Sequence, residues 1–251
     1  MFHRSTLGTA LLVAAFAWTI PASADEPAST PSAFDIGLRL EEVRAKPKSF
    51  RVEELLQLQD PTVGLNLALI LEDDLDDTAK SAAYFLSGEI EFELGNTARA
   101  REFFEEAASK DKKGPFADDA KFAEIRSLEL AGKDEEAREE WEDWEKKYDD
   151  SVLYTDARIA LAWNYLRAAD WRRARATVDQ ISEESSWAST DARVVAARAV
   201  LEFAAGDIEA CLNELEAMPE PNATSTYLTA LCLDAQGEVL KAAAAYQEVF
   251  E

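Results

Sequence analysis

Apolar residues recur along this chain at helical spacing. The clearest stripe is Ala137, Trp141, Trp144 and Tyr148, at i, i+4, i+7 and i+11, and residues 135–147 otherwise carry seven acidic and three basic side chains. That alternation predicts an amphipathic helix with one face turned to a core. A turn-forming residue followed by a polar one precedes it, and the arrangement returns along the chain. Gly95-Asn96 leads to Ala100, Gly132-Lys133 to Ala137, Ala169-Asp170 to Ala174, Gly206-Asp207 to Cys211 and Gly237-Glu238 to Ala242. The turns lie 37, 37, 37 and 31 residues apart. A fixed period in this range marks a solenoid of helix pairs. The small residue after each turn lets two helices approach closely, and the large residue four positions on fills the space between neighbouring pairs. No pair hides its stripe alone, so the pairs must stack.

Ahead of the repeats the pattern predicts further helices. Phe34 to Ala45 is one, stopped before Pro47, and Val52 to Leu58 is a short second. Asp60-Pro61 opens a third, with Asp as cap and Pro in the first turn, and Glu72 to Asp77 ends it. Together 33–80 reads as an N-terminal helical region and 81–251 as an array of about five units. The chain closes at Phe250-Glu251 inside the second helix of the fifth unit, without the polar capping helix a stack usually carries. This predicts a cap supplied by a partner or by a longer protein of which the chain is the front part.

The repeat positions resemble the tetratricopeptide repeat. That family places a small residue midway along the first helix, a turn Gly seven residues later, Ala five after that, and then an aromatic. Gly88, Gly95, Ala100, Phe104 and Ala107 follow this order. So do Leu161, Ala162, Tyr165 and Ala174, with the run Trp163-Asn164-Tyr165-Leu166, and Ala230, Leu233, Gly237, Ala242 and Tyr246. The period here is longer than the family's 34 or so residues, with the extra residues between units at 111–117 and 149–151. The resemblance implies an all-α fold, a right-handed superhelical solenoid of antiparallel helix pairs. Stretched units of this kind are similar to those of periplasmic adaptors of the bacterial envelope and to the superhelical arm of lytic transglycosylases.

The first residues change the setting. His3 and Arg4 precede an apolar stretch from Leu7 to Ile20, then Pro21 and Ala22-Ser23-Ala24. This is the pattern of a secretory signal peptide over 1–24, cleaved after Ala24, and the stretch is shorter than the roughly 20 residues of a membrane span. An uncleaved anchor is the alternative. Residues 25–32, rich in Pro, Ser, Thr and Ala, read as a flexible leader. A periplasmic or secreted protein is expected, with no transmembrane segment in the mature chain.

Charge narrows the partners. The formal net charge is −24, which repels nucleic acid and anionic lipid surfaces. His3 is the only histidine and leaves with the signal, so Ser-His-Asp systems, Cys-His systems and His metal sites are excluded from the mature chain. No specific carboxylate pair stands out among the 50 acidic residues. No catalytic residue, metal or cofactor is expected. The run Glu72 to Asp77 lacks the glycine and spacing of a calcium loop and reads as a solvated turn.

Carried over from the family, the inner face of the array holds Phe85, Glu89, Phe92, Phe122, Arg126, Trp163, Leu166, Phe203, Tyr227 and Leu231. These are the candidate protein-binding residues, a groove for an apolar helix or extended peptide; the competing reading makes several of them core. The Lys, Asn and Arg of the family's carboxylate clamp are replaced mainly by apolar residues, so no such clamp is expected. Cys211 and Cys232 are the candidate disulfide, with two buried thiols as the alternative. Asn222-Ala223-Thr224 fits the glycosylation pattern incidentally. The function expected is an exported scaffold or adaptor binding other envelope proteins or peptides. The alternative is the non-catalytic superhelical domain of a longer cell-wall lytic enzyme.

Overall fold

The structure, a computed structural model, describes residues 76–218 and 221–249. The signal peptide, the leader and all but the end of the N-terminal helical region lie outside the described residues, as do Glu72 to Leu75. Among the described residues there are ten α-helices and no strand. They are α1 (Asp77–Glu93), α2 (Thr97–Lys110), α3 (Ala117–Leu130), α4 (Asp134–Lys147), α5 (Tyr154–Arg167), α6 (Trp171–Glu184), α7 (Ala192–Ala205), α8 (Ile208–Glu216), α9 (Ala223–Ala235) and α10 (Val239–Glu248). A single 3₁₀ turn, Ala188–Thr190, precedes α7. Two compact units meet in sequence between Leu153 and Tyr154.

One turn geometry makes the pairs. At each of the five predicted turns the backbone enters the left-handed region: φ is +78° at Gly95, +72° at Gly132, +55° at Ala169, +84° at Gly206 and +78° at Gly237. At the first turn the Gly95 N–H donates to the Phe92 carbonyl at 2.9 Å and the Asn96 N–H to the Glu91 carbonyl at 2.8 Å. The other four turns repeat both bonds at 2.9–3.0 Å. This is the paired closure that satisfies the last carbonyls of a helix. The predicted small residue then joins the next helix, as Ala100 N–H donates to the Asn96 carbonyl at 2.9 Å, with the equivalent bond at Ala137, Ala174, Cys211 and Ala242. All five side chains are buried. The extra residues of the long units fall between pairs, at 111–116, 148–153 and 185–191. The shorter fourth spacing has its own cause: α8 has nine residues where α2, α4 and α6 have fourteen.

In the unit of α1–α4, α1 begins on Asp76, whose carboxylate accepts the Ala79 N–H at 2.9 Å. The helix thus starts at Asp77, ahead of residue 81. Asp76 and Asp77 of the acidic run are a cap and a first-turn residue. Each helix packs on its successor, and α1 also meets α3. The core is aromatic. Phe104, Trp141 and Trp144 are fully buried, Phe122 lies edge-on to Trp141 at 4.9 Å, and Trp144 meets Tyr148 at 5.2 Å. Gly88 is needed by Phe104: a Cβ at Gly88 would lie 2.5 Å from the ring carbons Cδ1 and Cε1.

In the unit of α5–α10 the core is aliphatic, built on Val178, Ile181, Val194, Leu201, Leu215 and Leu228. First helices touch first helices, α5 to α7 and α7 to α9. Arginines tie the pairs. Arg193 reaches Asp156 of α5 at 2.7 Å and Asp191 at 2.8 Å. Arg198 of α7 holds Glu214 of α8 at 2.8 Å and the Ser189 carbonyl at 3.1 Å. Asn222 is the cap of α9 in a capping box with Ser225, which gives the Asn-Ala-Thr sequence a structural use. Val239 and Leu240, on α10, are exposed. No described helix is long and apolar enough to cross a membrane.

Candidate functional site

The first-helix face of the unit of α1–α4 gathers acidic and aromatic side chains. Phe85, Glu89 and Phe92 follow i, i+4, i+7 along α1. Phe85 stacks against Phe116, at the start of α3, with ring centroids 5.9 Å apart, and its ring lies tilted against that of Phe104 at 5.7 Å. Glu89 is exposed, yet the bulk of the neighbouring helices raises its pKa, and Glu93 and Asp119 raise it further. Asp119, in the first turn of α3, is itself pushed up by burial and by Asp118, against a helix N-terminus that favours the anion. Glu89 of α1 lies near enough to Asp119 of α3 for the Asp119 charge to raise its pKa, so the two helices bring carboxylates together.

The other candidates of this unit are partly committed. The Phe122 ring turns toward Trp141 and Trp144 and is half-buried. Arg126 pairs with Glu129 one helical turn on and is half-buried, so it places a neutralised pair on the face. Phe92 is half-buried. Glu93 and Asp119 were not among the sequence candidates. Their signal was available only as acidic residues at the end of one helix and the start of another.

In the unit of α5–α10 the candidates serve the fold more than a face. Trp163 Nε1 donates to the Arg193 carbonyl at 3.2 Å and so links α5 to α7. Leu166 is 1% exposed and is a core residue, which removes it from any surface a partner could reach. The cause is α5 itself, buried from Ala157 to Ala162 and from Asn164 to Leu166 on nearly every side. Phe203 and Leu231 are half-buried. The Tyr227 ring packs 5.8 Å from that of Tyr246.

Cys211 and Cys232 are both free thiols, fully buried, with sulfurs 3.1 Å apart. They join α8 of one pair to α9 of the next. Among the described residues no cluster of His, Cys, Asp or Glu has the arrangement of a metal site.

Comparison with known proteins identifies the recurring hairpin. Residues 82–113, which span most of α1 and all of α2, match the family model of the tetratricopeptide repeat. No curated protein sequence matches the chain. Solved structures do match. A tetratricopeptide repeat protein from Parabacteroides merdae superposes with a TM-score of 0.60 at 16% identity, covering 86% of this chain and 83% of its own. BtubC (BKLC) from P. vanneervenii gives 0.55 at 14% identity, covering 87% and 90%. YrrB, described as a tetratricopeptide-repeat protein with an unusual peptide-binding site, gives 0.54 at 15% identity, covering 86% and 98%. At these identities the likeness is one of fold: an all-α solenoid of helix pairs.

Proposed function

Starting from a chain that carries a tetratricopeptide repeat and has the fold of such proteins, a fold for binding proteins and peptides and generally a non-catalytic one, we propose that it is an exported adaptor that takes a basic segment of an envelope protein. The face of α1 and α3 receives that segment. One observation carries this reading: partial burial disfavours ionisation of Glu89 and Asp119, and the carboxylates of Glu93 and Asp119 repel the charge of Glu89 further. A cation brought to that face offsets the repulsion among these carboxylates, while Phe85 and Phe92 offer apolar surface to the stem of a Lys or Arg or to a neighbouring side chain. YrrB's description makes peptide binding compatible with the fold; the residues invoked here are this chain's own. The signal-like segment 1–24 supports export, and the net charge of −24 agrees with cationic partners.

The test is fluorescence anisotropy with two labelled peptides of one length, one alternating Lys and Leu, the other Glu and Leu. The basic peptide should bind, weaken with added salt, and lose affinity about tenfold in the Glu89→Gln, Asp119→Asn double variant, the order expected for losing two partly exposed charge contacts. Equal binding of both peptides, or no effect of the double variant, overturns the proposed face. Export is tested separately: residues 1–24 fused to a reporter enzyme active only outside the cytoplasm should give activity, and a silent fusion removes the exported half of the proposal.

A further inference from the structure

We propose that Cys211 and Cys232 are oxidised to a disulfide that staples α8 to α9. This rests on the export reading for where it happens, and on geometry alone for whether it forms. The two sulfurs lie 3.1 Å apart, nearer than two sulfur atoms in ordinary contact. A disulfide bond is about 2.05 Å long, so closure asks for a movement of about 1 Å, within reach of side-chain adjustment between helices that already pack together.

The chemistry of the surroundings favours a structural bridge over a reactive thiol. Nucleophilic cysteines sit in electropositive, partly exposed places. Here both thiols are fully buried, and the charged groups that bear on Cys211 are Glu202 and Glu214, both anionic. Each of those is held by an arginine, Glu202 by Arg175 and Glu214 by Arg198, at 2.8 Å. The bridge also falls where the array has least support. The nine-residue α8 buries two side chains where α2, α4 and α6 bury three, and α10 buries only Ala242 and leaves Val239 and Leu240 exposed. A covalent link from α8 to α9 closes the chain between 211 and 232 and restricts the unfolded chain most directly at the last described pair.

Oxidation needs an acceptor of two electrons, and a small-molecule or protein disulfide supplies it. With glutathione disulfide, the thiolate of one cysteine attacks a glutathione sulfur and releases one glutathione. The second cysteine then attacks the mixed disulfide and releases the other. The cysteines lose two protons and two electrons, and glutathione disulfide becomes two glutathione thiols. Since neither sulfur is exposed in the folded chain, the mixed disulfide forms before α9 docks on α8 or when that pair opens.

The experiment refolds the full chain from reduced, denatured material in two buffers, one with a glutathione redox couple and one with excess dithiothreitol. Each sample is then alkylated in denaturant, weighed intact and melted. The oxidised sample should take up no alkyl group, weigh two hydrogens less, and melt on the order of 10 °C higher than the reduced one. In the Cys211→Ala, Cys232→Ala variant the two buffers should give the same melting temperature. Two alkylated cysteines in a natively helical sample from the glutathione buffer overturn the proposal, and so do glutathione adducts without an internal bridge. Because this arm needs no exported material, a failed export reporter leaves the bridge standing, and a failed bridge leaves export untouched.

Discussion

In four of the five described pairs the second helix, or the residue just beyond it, buries residues at the same three places, and the two units fill them differently; α10 buries only Ala242. In α2 they are Ala100, Phe104 and Ala107, and in α4 they are Ala137, Trp141 and Trp144. In α6 they are Ala174, Val178 and Ile181, and in α8 Cys211 and Leu215, with Met218 just beyond. Rings fill the first unit and branched chains the second. The cations differ as well: lysine predominates in 76–153, whereas Lys241 is the only lysine of 154–249 and arginines there run between helices. The backbone device, a left-handed turn followed by a small buried residue, is common to both. Turn geometry sets the repeat, and the filling between helices is free to vary around it.

The largest test of that contrast is truncation of the central ring. Trp141→Ala should cost about 3–5 kcal/mol, and Val178→Ala, at the matching place in α6, only about 1–2 kcal/mol. Chemical denaturation followed by far-UV circular dichroism reads both. Similar losses would mean that the rings are not what holds the first unit together. Trp141→Phe sharpens the point. The indole Nε1 is buried and meets no acceptor among the described residues, so removing it takes away an unsatisfied donor along with ring volume. The phenylalanine variant should keep most of the stability that alanine loses.

Gly88 gives the next effect. Gly88→Ala should destabilise by about 1–3 kcal/mol, because the new methyl meets the buried Phe104 ring and neither can move freely. The corresponding places in α5 and α7 already hold Ala162 and Ala199, both buried, where the second helices carry Val178 and Leu215. Gly88→Ala combined with Phe104→Leu should therefore recover part of the loss, a coupling that a double-mutant cycle measures directly. Additive losses would show that the two positions do not share space.

How much of this was legible beforehand follows from how each residue is buried. The turns at Gly95, Gly132, Ala169, Gly206 and Gly237 and the small residues after them were readable, because a left-handed turn and a close helix crossing each restrict residue type at one position. The α4 stripe was readable because its other sides are charged. Leu166 was placed on a binding face and is core, since α5 is enclosed on nearly all sides and periodicity has no contrast to report. The roles of Arg193 and Arg198 were not visible at all. Their partners Asp156 and Glu214 sit far along the chain, and an acidic sequence offers many carboxylates of equal claim.

Ala169 offers a smaller effect of opposite sign. It holds φ of +55° where the other four turns use glycine. A left-handed alanine costs about 1–2 kcal/mol, set against the greater freedom glycine gives the unfolded chain. Ala169→Gly should then stabilise the second unit by up to about 1 kcal/mol, and Gly132→Ala should weaken the first by a similar amount. Thermal melts of the two variants should move in opposite directions. A destabilised Ala169→Gly would place some unrecognised value on the methyl group.

Acidification should separate the two units by the smallest margin. In the first, burial of Asp119 and Glu124, and the crowding of neighbouring helices around the exposed Glu89, push all three above the usual carboxylate range. Glu93 and Asp119 add to it at Glu89, Asp118 adds to it at Asp119, and Lys121 opposes it at Glu124. Folding then favours the protonated forms. The native unit binds more protons than the unfolded chain between their raised values and the free-chain values of about 4. Stability from these groups rises as pH falls through that window. Asp191 in the second unit behaves in reverse. Burial raises its pKa, but the Arg193 guanidinium and backbone N–H outweigh burial and hold it below the usual value. Its contribution is present above about pH 4 and is lost as pH falls further. Segment-resolved hydrogen exchange from neutral pH downward, corrected for the intrinsic rate, should show α1 and α3 gaining protection before the start of α7 loses it. Glu89→Gln should raise protection of α1 at neutral pH and flatten its gain on acidification, because a neutral side chain already sits where the proton would go. If α1 and α7 instead lose protection together, the crowding of Glu89 with Glu93 and Asp119 is not a strain the fold carries, and the argument for a cationic partner on that face loses its physical basis.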